Sequence, residues 1–491
     1  MKFLDIPSLG LPPGRLTVWR ASAPHISDAA WAADARRASY VQEAHITYAL
    51  AAAGEGPLPP SWLGCIFDLP TELDAEAFAA ALRGWTDRHE ILRSQLTLTS
   101  GSTPDGRLRR MTLPAGAISI DACMEGDSTD GRTLEQYLEE LFDREAGALG
   151  WPGYVCATIS RPEATTVCFA ADHTLTDGLS ILLTPYEMQT LYAAATAAAH
   201  GKPAPAPLPS TASYLDFAEA ERTAADRLTA DHESIVRWGQ FLAEAGGSLP
   251  EFPMPVSGVF DGPVAQPGGY TELLDASAVQ AFDRVCRAAG GDTFSGVLAC
   301  LAKIGHDITG SRDFRTMAPF HTRTGPSQAS VGWYVGMGPI TFPLSATDSF
   351  AEAVYSAASG LDGVKELAQI PIPRVEELLG QPLHDPFMVS FNDFRRIPGS
   401  RNWNAWQVVV LRSRCTDPNE VYLWMGRTHS GLFVNYRYPA TGPAGIAVPA
   451  YVARLKHLLR SIASTARWPT TPHPQETIAR DGHQTHCGSL V

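Results

Sequence analysis

Positive charge is scarcer than negative charge in this sequence. The 491 residues include 38 lysines and arginines against 52 aspartates and glutamates, so the formal net charge is −14 at pH 7. A protein that binds nucleic acid needs a basic face to neutralise phosphates, and anionic membranes also attract basic segments. We therefore expect binding to neither. The richest basic cluster, Arg107, Arg109 and Arg110, is interpreted as a solvated hairpin or loop.

Paired cysteine motifs and long apolar runs are also missing. No C-x-x-C pair occurs, and most of the eight cysteines have apolar neighbours: Cys65, Cys123, Cys156, Cys168, Cys286, Cys300, Cys415 and Cys487. Isolated core cysteines are typical of reduced, cytoplasmic proteins. The first residues lack the apolar region of a signal peptide, and no run is long enough to span a bilayer. We expect a cytoplasmic protein without a membrane span.

Several catalytic signatures are absent as well. Without a G-x-S-x-G motif, a serine hydrolase lacks its nucleophile signature. Neither G-x-x-x-x-G-K-[S/T] nor G-x-G-x-x-G occurs, which disfavours nucleotide chemistry. His89-Glu90 is not followed by a second zinc-binding histidine. The sequence therefore predicts no metal site.

The length of the chain predicts at least two domains, because single cores stop growing at roughly 250–300 residues. Predicted strands and helices follow one another irregularly, which indicates an α+β fold. Proline-dense residues 201–209 are typical of a semi-rigid linker. We therefore predict an N-terminal unit at 1–205, a C-terminal unit at 206–466 and a disordered polar tail at 467–491.

The stretch from Asp172 to Gly178 is the best candidate for chemistry. The apolar residues 166–171 before it predict a buried strand, and the residues after it have helical spacing. His173 would therefore stand at a strand end, where an imidazole can reach a cleft and transfer protons near neutral pH. Asp177 could orient that ring or stabilise the turn. The alternative is a histidine at the core edge followed by an ordinary Asp-Gly turn.

Further segments show that this stretch is part of a larger pattern. Residues 172–178 resemble the H-H-x-x-x-D-G signature of the condensation-domain acyltransferase superfamily, with Asp172 in place of the first histidine. Residues 88–93 match its R-H-E-x-L-R element, residues 213–217 resemble Y-x-D-Y, and residues 331–336 resemble G-x-F-V-N. The resemblance extends over residues 15–465. It is closest to polyketide-associated acyltransferases and to free-standing condensation enzymes of nonribosomal peptide synthesis.

The resemblance implies a fold and an activity. Members are pseudo-dimers of two chloramphenicol-acetyltransferase-like domains, arranged in a V around a central tunnel. They condense an acyl or aminoacyl thioester on the phosphopantetheine arm of a carrier protein with a small-molecule alcohol or amine. No cofactor stays bound. We expect ester formation in natural-product or lipid biosynthesis. Amide formation and a non-catalytic binding role are the alternatives.

The resemblance also implies roles for individual residues. His173 would act on the acceptor, and Arg323 would form a structural ion pair with Asp177. Trp333, Tyr334 and Asn392 are possible substrate-binding residues; core packing or a turn is the alternative for them.

Two departures from the family pattern bear on the site. Asp172 replaces a histidine that is usually not the proton acceptor, so activity is still expected; a changed acceptor and a weaker enzyme are the alternatives. The D-F-G-W-G element of the family has no counterpart, and residues 392–396 do not replace it.

Overall fold

The structure, a computed structural model, describes residues 3–4, 6–24, 30–99, 108–128, 130–258, 262–345 and 347–469. Residues 470–491, which make up most of the tail predicted to be disordered, lie outside the described residues, as does Arg107 of the basic cluster.

Strands are distributed over the whole described chain. They are β1 (Phe3–Leu4), β2 (Gly14–Ser22), β3 (Ala32–Asp34), β4 (Trp62–Leu69), β5 (Ser94–Leu98), β6 (Leu108–Thr112), β7 (Ser119–Ser128), β8 (Tyr154–Ser160), β9 (Thr165–Asp172), β10 (Gly268–Asp275), β11 (Asp313–His321), β12 (Val335–Pro343), β13 (Phe387–Asp393), β14 (Val409–Arg412), β15 (Val421–Arg427) and β16 (Gly431–Arg437).

Helices separate most of these strands. They are α1 (Tyr40–Ala53), α2 (Ala75–Arg88), α3 (Gly131–Glu145), α4 (Gly178–Ala199), α5 (Tyr214–Asp226), α6 (Glu233–Glu244), α7 (Ala276–Ala288), α8 (Thr293–Thr309), α9 (Phe350–Leu361), α10 (Val364–Leu367), α11 (Ile372–Leu379) and α12 (Gly442–Thr465). Mixed helices and sheets confirm the α+β class.

The first large sheet has the strand order β1-β14-β4-β9-β8-β2-β7. Its central strands β8 and β9 are antiparallel and almost completely buried. Alternate residues point to opposite faces. Phe169 packs with α2 and α4 on one face, and Cys168 packs with α3 on the other. Because both faces are covered by helices, the strand sequence is a continuous apolar run and does not alternate with polar residues.

The second large sheet has the strand order β10-β16-β15-β13-β11-β12. Helices α7, α8, α9 and α12 contribute to its core cluster. A smaller sheet, β3-β6-β5, adjoins the first half. Each large sheet thus has its own helical cover, as expected for two related halves.

Residues 201–209 contain no helix or strand and are almost entirely exposed, as a linker between α4 and α5 would be. The two predicted units nevertheless share structure. Strand β14 pairs with β4 in the first sheet, with Val410 opposite Cys65. Tyr214 and Leu215, from α5, also belong to the core of the first half. A boundary near residue 205 therefore places the strands of the two large sheets on opposite sides, except that β14, from the second unit, belongs to the first sheet. The boundary does not separate the two cores.

Some local predictions need correction. The residue pattern over 27–53 predicts one helix, but in the described part, residues 30–53, helix α1 begins only at Tyr40, after Ser39 caps its N-terminus. The residue pattern from Ser213 to about Ala245 predicts one long helical stretch, but the structure has two helices there, because the chain turns between α5 and α6. No described helix combines the length and apolar character needed to cross a bilayer.

Candidate active site

His173 lies where the buried strand β9 ends. Its backbone N–H donates to the carbonyl of Ser61 (2.9 Å), which fixes the chain as it leaves the sheet. The N–H of Leu175 donates to the carbonyl of Asp172 (2.9 Å) and closes the following turn. Helix α4 begins at Gly178, so the turn that carries His173 is held by the sheet on one side and by the helix on the other.

Aromatic rings surround the half-buried His173 side chain. The indole of Trp333 stacks on it with ring centroids 4.0 Å apart, and the His45 ring lies 6.2 Å away. Burial, with a smaller contribution from the nearby His45, lowers the pKa of His173 to about 4. The ring is therefore neutral at pH 7 and can accept a proton.

The surroundings of the His173 ring indicate which of its two nitrogens can face a substrate. Nδ1 is buried and has no hydrogen-bond partner among the described residues. The carbonyl of His173 itself is close enough to raise the pKa of the ring. Because Nδ1 is enclosed by protein, Nε2 is the ring nitrogen that a substrate can reach.

Asp177 and Arg323 form a buried, bidentate ion pair between the two halves of the chain. The guanidinium donates to both carboxylate oxygens, at 2.7 and 2.9 Å, and neither side chain is more than 1% exposed. Asp177 also accepts the backbone N–H groups of Ser180, as the N-cap of α4, and of Tyr334. Burial alone would raise the pKa of Asp177, but Arg323 and these hydrogen bonds keep it below its ordinary value.

The two aromatic candidates have different surroundings. Trp333 is half-buried and contacts His173, as a substrate-binding residue could. Tyr334 is completely buried: its ring packs against Tyr214 and lies under the Arg323 guanidinium, 4.4 Å from the ring centroid. The Tyr334 side chain therefore packs in the core and supports the ion pair, which favours the core-packing alternative for this residue.

The remaining candidates are less closely tied to His173. Gly178 is exposed, and a Cβ atom there would meet no atom within 4 Å, so packing does not require glycine. Asn392 is exposed at the end of β13, and its amide donates to Ser390 Oγ (3.0 Å), as expected of a residue that only ends a strand.

Asp172, which replaces the first motif histidine, is buried and fully hydrogen-bonded. Its Oδ1 accepts the backbone N–H and the hydroxyl of Thr174 (2.8 and 2.6 Å), and its Oδ2 accepts the Ser61 hydroxyl (2.7 Å). Ser61 Oγ in turn lies 2.9 Å from Nε2 of His45. Burial raises the pKa of Asp172, partly offset by these hydrogen bonds.

His45 and Ser61 were not predicted to be site residues. His45 comes from α1 and Ser61 from the segment before β4, and neither lies in a recognisable motif. The only local signal was a histidine in an otherwise alanine-rich helix, which has no specificity by itself.

The upstream R-H-E element is structural. Glu187 on α4 accepts hydrogen bonds from Trp85, Arg88 and His89, at 2.9, 3.0 and 2.6 Å. Nδ1 of His89 accepts the backbone N–H of Val331 (3.4 Å). The element therefore fixes α2 to α4 and to the segment that carries Trp333.

The serine-tyrosine element at the start of α5 is also structural. The Ser213 hydroxyl donates to Glu90, and the Tyr214 hydroxyl pairs with Ser39 at the start of α1 (3.1 Å). Arg36 donates to both Glu90 and Asp216. These contacts join the sequence elements into one scaffold around the His173 turn.

One group of side chains among the described residues could hold a metal ion, namely His384, Asp417 and Glu420. The Glu420 carboxylate already accepts hydrogen bonds from Arg437 and Tyr422, at 2.7 and 3.0 Å. None of these residues belongs to the turn that carries His173.

The family model of the condensation domain matches residues 63–392, which is most of the chain and includes the whole His173 turn. The chain belongs to the condensation-domain family. The superfamily expected from the motifs is therefore confirmed.

Two curated relatives of this condensation-domain protein are acyltransferases from Mycobacterium tuberculosis. Acyltransferase PapA3 is 27% identical over 81% of this chain and 83% of its own length. The 2'-acyl-2-O-sulfo-trehalose (hydroxy)phthioceranyltransferase PapA1 is 28% identical over 74% of this chain and 69% of its own length. These relatives confirm that the protein is an acyltransferase.

Solved structures share the fold. PapA2 acyl transferase aligns with a TM-score of 0.85 at 24% identity, covering 94% of this chain and 100% of that one. The first condensation domain of the calcium-dependent antibiotic synthetase aligns with a TM-score of 0.64 at 17% identity, covering 88% and 97%. The fold expected from the resemblance, an α+β pseudo-dimer of acetyltransferase-like halves, is confirmed.

The Asp177–Arg323 pair gives a testable expectation for stability. Asp177→Ala and Arg323→Ala should each lower the free energy of unfolding by about 3–5 kcal/mol, because each leaves a buried charge without its partner. The double variant should lose less than the sum of the two single losses. Urea melts of the three variants measure this coupling.

Arg15→Ala provides the matched control, since Arg15 pairs with Asp127 on the surface, where the side chains are 57% and 73% exposed. This variant should change stability by about 1 kcal/mol or less. Strictly additive losses at Asp177 and Arg323 would contradict the coupling inferred from their contact.

Proposed function

We propose that this acyltransferase moves an acyl group from a carrier-protein thioester to a hydroxyl of a small polyhydroxylated molecule, with His173 as the general base. The observation that carries the proposal is the neutral, half-buried imidazole of His173 at a strand end, stacked on Trp333 and held in place by the Asp177–Arg323 pair.

The proposed reaction needs no protein nucleophile, because a thioester carbonyl is already activated. The acceptor hydroxyl oxygen attacks the carbonyl carbon while Nε2 of His173 takes the hydroxyl proton. The C–S bond of the tetrahedral intermediate then breaks, and the leaving sulfur takes that proton to give a free thiol and an ester. Holding both reactants in one site supplies much of the rate enhancement.

The names of the relatives support a sugar hydroxyl as the acceptor. PapA1 is named as a transferase acting on an acylated sulfo-trehalose, and PapA2 as a trehalose-2-sulfate acyltransferase. Because both names describe acyl transfer to a trehalose derivative, ester formation is proposed here over amide formation.

A carrier protein is proposed as the donor because the chain has no nucleotide-phosphate motif that would bind the adenosine end of coenzyme A. The phosphopantetheine arm would enter a tunnel between the halves. Since the protein carries a net charge of −14 and carrier proteins are usually acidic, docking would depend on a local patch. Cytoplasmic location stays a prediction from the sequence.

His173→Ala should lower kcat/KM for acyl transfer by about 10²–10⁴-fold, the usual contribution of a general base. His200→Ala is the matched control, because it removes an exposed imidazole at the opposite end of α4 and should leave the rate unchanged. Rates are measured by mass spectrometry of the ester product, with circular dichroism to verify folding. Near-normal transfer by a folded His173→Ala protein would refute the proposal.

The pH profile tests the proposed base directly. With the pKa of His173 at about 4, kcat/KM should stay flat from pH 8 to about 5.5 and fall by half near pH 4. An unperturbed histidine would give a midpoint near about 6.5. That higher midpoint would contradict the assignment.

Folding must be monitored at each pH. Unfolded histidines bind protons below about pH 6.5, whereas burial keeps His173 and His45 neutral until about pH 4 in the folded protein. The unfolded state therefore binds more protons in this window, and stability falls as the pH falls. Circular dichroism separates this loss from a loss of base function.

The donor class gives a further expectation. For the same acyl group, kcat/KM should be at least about tenfold higher when the donor is the carrier protein than when it is coenzyme A. Additional contacts with the carrier that contribute about 1.4 kcal/mol are sufficient for this factor. A short pantetheine thioester serves as the control for the arm alone. Equal or better use of the coenzyme A donor would overturn the carrier assignment.

A further inference from the structure

A chain of hydrogen bonds connects the substituted motif residue to a second histidine beside His173. The Ser61 hydroxyl donates to Oδ2 of Asp172 (2.7 Å), and Ser61 Oγ is 2.9 Å from Nε2 of His45. Gln42 lies on α1 one turn before His45, and its side-chain amide donates to the carbonyl of Thr174 (2.6 Å). Helix α1 is therefore fixed to the same turn that carries His173.

The direction of this chain determines the tautomer of His45. Asp172 is the acceptor in each of its hydrogen bonds in this chain, because the Ser61 hydroxyl and the backbone N–H and hydroxyl of Thr174 all donate to its carboxyl oxygens. The single hydroxyl proton of Ser61 is used on Asp172, so Ser61 Oγ must accept the Nε2–H of His45. Nδ1 of His45 is consequently an acceptor.

His45 is well placed to contact a molecule bound at His173. The two imidazole centroids are 6.2 Å apart, and the Trp333 ring contacts both of them, at 5.3 Å from His45 and 4.0 Å from His173. All three side chains are half-buried. Together they present two hydrogen-bond acceptors beside one aromatic face.

Two acceptors cannot be satisfied by one hydroxyl. A hydroxyl group has a single proton, and in the proposed reaction His173 takes the proton of the attacking hydroxyl. A hydrogen bond to Nδ1 of His45 therefore requires a second donor on the same molecule. A neighbouring hydroxyl fits this requirement, whereas a simple alcohol does not.

We propose that His45 binds a second hydroxyl of the acceptor through Nδ1, and that Asp172 and Ser61 are positioning residues that keep the His45 proton on Nε2. The acceptor class is a molecule with neighbouring hydroxyls, such as a sugar. This inference rests on the proposed function. It also gives the substitution at Asp172 a physical role, because the carboxylate orients an imidazole supplied by α1.

Nitrogen-15 NMR of histidine-labelled protein tests the tautomer without any turnover. The wild-type protein should show His45 with its proton on Nε2, assigned by the loss of its signals in His45→Ala. Asp172→Asn should reverse the chain: its amide would donate to Ser61, Ser61 would donate to Nε2, and the His45 proton would move to Nδ1. A wild-type Nδ1–H tautomer, or no change in Asp172→Asn, would overturn the positioning role.

Kinetics with a matched pair of acceptors tests the contact. Propane-1,2-diol and propan-1-ol differ by one neighbouring hydroxyl, and an octanoyl pantetheine thioester serves as the donor. The diol should have about tenfold higher kcat/KM than the simple alcohol, the size expected of one hydrogen bond. This ratio should fall to about one in His45→Ala and drop in Asp172→Asn.

Tyr48→Ala is the control, because Tyr48 lies on the same helix and is 61% exposed. It should keep the wild-type ratio. An unchanged ratio in His45→Ala would overturn the contact with the second hydroxyl. Failure of the proposed function would give a different result. In that case the His173→Ala variant would still transfer the acyl group to both acceptors, whichever tautomer His45 has.

Discussion

Arg323 reaches from the segment after β11 into the turn after β9 and pairs there with Asp177, and the candidate site depends on this contact. The pair is completely buried, so it has no water to replace a lost partner. It is also the N-terminal anchor of α4, because Asp177 caps that helix. The position of His173 therefore depends on both halves: β9 and α4 hold the turn from the first half, and Arg323 contributes from the second.

Burial, which makes the ion pair critical, also keeps the two imidazoles neutral. Removing water disfavours the charged form of a histidine, and the pKa values of His173 and His45 both fall to about 4. His45 also disfavours a positive charge on His173. Packing two histidines near Trp333 therefore leaves two neutral imidazoles that can accept hydrogen bonds at physiological pH. The carboxylate in the hydrogen-bonded chain is that of Asp172.

The motif elements away from the turn act through the scaffold. His89 and Glu187 tie α2 to α4, and Val331, from the second half, donates to His89. Arg36 links Glu90 to Asp216 at the start of α5. Histidine and carboxylate side chains such as these resemble catalytic groups in sequence, but their hydrogen-bond partners are other protein groups.

The sequence by itself determined the features that depend on local pattern. The apolar run of β9, the turn after it and the linker at 201–209 followed from residue type and spacing, and the motifs indicated the family and the partners Asp177 and Arg323. Tertiary structure decided the rest: the burial of Tyr334, the pairing of β14 with β4, and the chain from Asp172 to His45. These contacts join segments that are far apart in sequence, and hydrophobic periodicity carries no information about which distant side chains meet.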